Sequence, residues 1–93
     1  MKRTARIEVN GQRWSVKRCR VPPSIHGDCD YETRTIRVSS KLHGEDFLNT
    51  LIHEYLHARF PDLSEECVSE NGDTLAALIT FADFRHVDDD PED

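Results

Sequence analysis

Thr50-Leu51-Ile52-His53-Glu54-Tyr55-Leu56-His57 places two histidines four residues apart, with a glutamate directly after the first. Around this stretch, from Glu45 to about Phe60, the apolar residues Leu48, Leu51, Ile52, Tyr55 and Leu56 recur at helical spacing. Glu45 and Asp46 suit the positive N-terminal end of a helix, and Pro61 stops it. The stretch therefore reads as an amphipathic helix that carries both imidazoles on one face, a turn apart.

Upstream, Ala5 to Val9 and Arg13 to Cys19 alternate apolar with polar residues around Asn10-Gly11, a pair suited to the positive φ of a tight turn. That pattern predicts a hairpin. Val21-Pro22-Pro23-Ser24 cannot continue a ladder and marks a connection. Gly27 to Tyr31 and Thr35 to Ser39 then form a second pair around Glu32-Thr33-Arg34, with Ile36 and Val38 facing the core.

Downstream, Ser64 is suited to cap a second helix, with Glu65 and Glu66 in its first turn and Val68, Leu75, Leu78, Ile79 and Ala82 as its apolar stripe. The short link predicts an antiparallel helix pair. The fold class is α+β: two hairpins in a small antiparallel or mixed sheet, then two helices.

The chain has 93 residues, which sets one domain with a modest core. We assign residues 1–86 to that domain and 87–93 to an acidic disordered tail containing Asp88, Asp89, Asp90, Glu92 and Asp93. The 12 Lys plus Arg and 18 Asp plus Glu give a net charge of −6. Lys2, Arg3, Arg6, Arg13, Lys17, Arg18 and Arg20 nevertheless crowd the first twenty positions, so nucleic acid is a conceivable partner there. Solvent-facing strand residues are the plainer account of them. Cys19, Cys29 and Cys67 form no paired motif, which fits reduced thiols in the cytoplasm. No stretch approaches a membrane span in length, so a soluble protein without a membrane partner is expected.

His53-Glu54-x-x-His57 has the spacing for two ligands of one zinc ion, Zn2+, with the Glu54 carboxylate within reach of a water at an open position. Glu54 would then serve as general base while that water attacks a carbonyl. A catalytic site of this kind needs a third protein ligand. Glu66 is placed first because it is near the turn, and Glu70, one turn on, is the alternative. Glu65 reads instead as a charge complementing the helix start, and Asp73 as an acceptor for an imidazole N–H. His26, His43, His86 and Tyr31 could polarise a substrate carbonyl or simply be solvated; Cys67 and Trp14 read as packing residues.

Gly27-Asp28-Cys29-Asp30-Tyr31, Thr35-Ile36-Arg37-Val38-Ser39 and Thr50-Leu51-Ile52-His53-Glu54-Tyr55-Leu56-His57-Ala58, in that order, resemble the zincin metallopeptidases of the gluzincin type. The likeness is to small phage and bacterial stand-alone domains related to the SprT-like and ImmA/IrrE-like groups, over roughly residues 27–79. It implies a zincin-like minimal domain in which a peptide or protein substrate is hydrolysed. It further implies that His53 and His57 bind zinc, that a glutamate of the following helix is the third ligand, and that the strand Thr35 to Ser39 runs along the cleft. The link between the helices is shorter than in that family. The alternative is a non-catalytic domain with a structural zinc and a protein or nucleic-acid interaction role.

Overall fold

The computed structural model describes residues 3–88. Strands β1 (Thr4–Val9) and β2 (Gln12–Cys19) form the first hairpin, with Val9 opposite Gln12. Asn10 and Gly11 take φ of 52° and 78°, the left-handed pair that matches the twist of the strands. β3 (Gly27–Asp30) and β4 (Thr35–Ser39) form the second hairpin. Its loop is held by Asp30 Oδ1, which accepts hydrogen bonds from the Glu32 and Thr33 amides at 2.9 and 3.3 Å.

The hairpins join through a parallel pairing of β2 with β4, from Ser15 opposite Thr35 to Cys19 opposite Ser39. The strand order is β1-β2-β4-β3, so the sheet is mixed. β4 therefore lies inside the sheet and β3 takes the edge, which corrects the expectation that Thr35 to Ser39 borders the cleft. The reason is that β4 carries Ile36 and Val38, 0% and 1% exposed, and only an interior position covers both.

One face of the sheet carries Val9, Trp14, Ile36 and Val38, packed with Ala58 of helix α1 (Gly44–Arg59) and flanked by Phe47 and Leu51. Each fully buried aliphatic side chain contributes about 1.5–3 kcal/mol by leaving water. Helix α1 is fastened to the sheet near both ends. Arg18 Nη2 donates to the Leu42 carbonyl at 2.6 Å, and its guanidinium stacks 4.2 Å from the Phe47 ring centre. At the other end Arg59 Nη1 donates to Asn10 Oδ1 at 2.6 Å while Asn10 Nδ2 donates to the Arg59 carbonyl at 3.1 Å.

Helix α2 (Glu65–Asp88) starts at the expected cap, where Ser64 Oγ accepts from the Cys67 amide at 3.2 Å. It packs on α1 through Val68, Gly72 and Ala76, all buried. Leu75, Leu78, Ile79 and Ala82 are exposed, so of the expected stripe only Val68 is buried. Small residues won the contact because they let the helices close: a Cβ on Gly72 would meet Asn49 Oδ1 at 3.3 Å and His53 Cα at 3.8 Å. The acidic tail expected at 87–93 starts within α2, and its remainder lies outside the described residues. No helix among those residues is long and apolar enough to cross a membrane.

Candidate metal centre

Helix α1 brings the His53 and His57 side chains together, with their Nε2 atoms 3.2 Å apart. Both rings are about three-quarters covered. Glu65, the first residue of α2, spans the pair: Oε2 lies 3.0 Å from His53 Nε2 and Oε1 lies 3.0 Å from His57 Nε2. Among the described residues these three alone form a cluster of ligand atoms close enough for one metal ion.

The separations come close to what a zinc ion needs. Metal–ligand bonds of about 2.0–2.2 Å in a tetrahedron put neighbouring donors roughly 3.3 Å apart. Two imidazole nitrogens and a carboxylate are also the donor types of a catalytic zinc site with one open position.

Glu66 and Glu70, placed first and second by sequence, are exposed and stand outside this cluster. The phase of α2 explains why. Val68, Gly72 and Ala76 set the face that meets α1, and counting back from Val68 by three residues puts Glu65 on it, while Glu66 is rotated about 100° away. The sequence carries this phase in the spacing of Val68, Gly72 and Ala76.

No protein family, curated protein or solved structure matches this chain. What the site can do therefore follows from its own residues.

Glu54 is half-buried beside the two histidines, and burial raises its carboxyl above the usual carboxylate range, against the pull of the His53 and His57 rings. It lines a cleft of about 500 Å³ between α1 and β3, together with His26, Asp46, Asn49, Thr50 and His53. At Gly27, which lines this cleft, a Cβ would lie 2.5 Å from the Arg37 carbonyl oxygen of β4 and 3.0 Å from Thr50 Cγ2 of α1.

Other sequence candidates are placed as follows. The Tyr31 hydroxyl donates to the His57 carbonyl at 2.6 Å, so it steadies the last turn of α1. Asp73 Oδ1 accepts from Asn49 Nδ2 at 2.6 Å, tying the two helices rather than orienting an imidazole. His43 is the residue before α1, 3.4 Å from Arg18, and only His26 of the loop histidines lines the cleft. The His86 side chain is outside the described set. Trp14 is buried as expected, and Cys67 is half-buried. Cys29, which drew no functional reading from sequence, lies beside Glu54 on β3, and its thiol is pushed up to about 11, first by burial and then by the Glu54 carboxylate.

Proposed function

We propose that this chain is a small zinc-dependent peptidase of the zincin kind, with His53, His57 and Glu65 as the protein ligands and Glu54 as the general base. The observation that carries this reading is the convergence of His53, His57 and Glu65, with the imidazole nitrogens 3.2 Å apart and each 3.0 Å from its own Glu65 carboxylate oxygen, beside a half-buried carboxylate. When bound, zinc supplies Lewis acidity, which polarises a carbonyl and makes water nucleophilic near neutral pH.

Glu54 takes the proton of the attacking water as the new C–O bond forms, and gives it to the leaving amine as the C–N bond breaks. Its partial burial favours holding that proton in between. An extended peptide lies along the cleft, where β3 presents the outer edge of the sheet for main-chain hydrogen bonds. The ligand set counts against a purely structural metal, because closed structural sites use four protein ligands and this cluster has three.

Glu54→Gln tests the proposal. The variant should take up zinc like the wild type and lose peptide hydrolysis by at least about a hundredfold, within the range for a positioned general base. Hydrolysis that survives unchanged removes Glu54 from the mechanism.

A further inference from the structure

The cleft beside the ligand pair continues along α1 toward its first turn. Asp46, Asn49 or Thr50, and His53 recur at three- and four-residue spacing on one helix face, and all four residues line the same space. Asp46 is seven residues before His53, about 10 Å along the helix axis at 1.5 Å per residue. His26, Gly27 and Leu42 complete its lining. Asp46 is exposed and forms no ion pair among the described residues.

We infer that this cleft selects a long basic side chain, lysine or arginine, next to the scissile bond, and that Asp46 is the residue that selects it. The inference rests on the peptidase reading above. Distance decides the side-chain class: a substrate held at the His53 end must reach two helical turns to meet the Asp46 carboxylate, which short residues cannot do. Leu42 and the Thr50 methyl group give the methylene stem apolar contact on the way, while the charged head stays partly in water. Charge decides the sign at the far end from His53, where the Asp46 carboxylate lines the space and no lysine or arginine does. An acidic side chain is disfavoured by the same argument. Because Asp46 is solvated, the preference is modest, about fivefold, the upper end of an exposed ion pair.

The test uses arginine, lysine, norleucine and glutamate hydroxamates as metal-directed probes, titrated calorimetrically into zinc-loaded full-length protein. Arginine and lysine hydroxamates should bind about fivefold tighter than the norleucine compound, with glutamate weakest. Asp46→Asn should level the series, Asp46→Lys should invert it, and Glu32→Gln in the distant β3–β4 loop should leave it intact. Equal affinities in the wild type, or a basic preference that persists in Asp46→Asn, overturn the inference while leaving the metal centre standing. Failure of the wild type to take up zinc overturns the peptidase reading itself, and this subsite with it.

Discussion

The Nε2 atoms of His53 and His57 stand 3.2 Å apart, near enough to share one partner. Glu65 reaches both rings from the first residue of α2, one carboxylate oxygen to each. On the proposed reading, a bound ion ties the end of α1 to the start of α2, and binding becomes folding stability. Zinc at about a thousand times its dissociation constant adds roughly 4 kcal/mol. For a domain this small that raises Tm by more than about 10 °C. Glu65→Gln and His57→Ala should lose most of that rise in a thermal-shift titration, and Glu66→Gln and Glu70→Gln should keep it. The opposite pattern between Glu65 and Glu66 would put the wrong glutamate in the site.

How legible this was depended on the length scale of each signal. Asn10-Gly11, Ser64 and the helical period around His53 act within a few residues, and each reads straight through to the observed turn, cap and helix. The pairing of β2 with β4 depends on which strand needs covering on both sides, a property of the whole sheet, and no local pattern announces it. The place of Glu65 beside the two histidines fell between these cases. Its place follows from the rotation of α2 about its own axis, which Gly72 and Ala76 determine by allowing close contact, and Leu75 and Leu78 mislead because they are large yet exposed.

Gly27 holds β3 against α1 with no room for a side chain. The Arg37 carbonyl oxygen 2.5 Å from the Cβ position is backbone in the centre of the sheet and cannot swing aside. Gly27→Ala should destabilise the fold by about 1–3 kcal/mol, the usual cost of overpacking. Urea unfolding measures it, and a variant as stable as the wild type would mean that β3 sits farther from α1.

Asp28 and Arg37 pair across β3 and β4 on the sheet face away from α1, with Arg37 Nε donating to Asp28 Oδ1 at 2.8 Å. The Arg37 hydrogen bond holds the Asp28 carboxyl below its usual range, against a smaller effect of burial. A carboxyl depressed in the folded state stabilises the fold above its unfolded pKa of about 3.9 and loses that contribution as pH falls through the lower folded value. Both side chains are more than a third exposed, so the pair is worth at most about 1 kcal/mol. Asp28→Asn should be less stable than wild type by up to that amount near neutral pH, and the two should converge in acid. A gap that stays constant down to low pH would assign the loss to something other than this pair.

The Cys29 thiol reports on Glu54 without any need for catalysis. Its pKa of about 11 comes first from burial and next from the Glu54 carboxylate, with a hydrogen bond to Tyr31 acting the other way. At three units below that value, roughly one thiol in a thousand is the reactive thiolate, so alkylation of Cys29 should be slow and should rise about tenfold per pH unit. Glu54→Gln removes the negative charge, which lowers the thiol pKa and speeds labelling at a fixed mildly alkaline pH. The measurement is iodoacetamide labelling of metal-free protein in a Cys19→Ser, Cys67→Ser background, with mass spectrometry following Cys29. Faster labelling in the glutamine variant, with the profile moved to lower pH, supports a carboxylate near the thiol. Identical profiles would mean that Glu54 points elsewhere, and its assignment as the base would lose its geometric support.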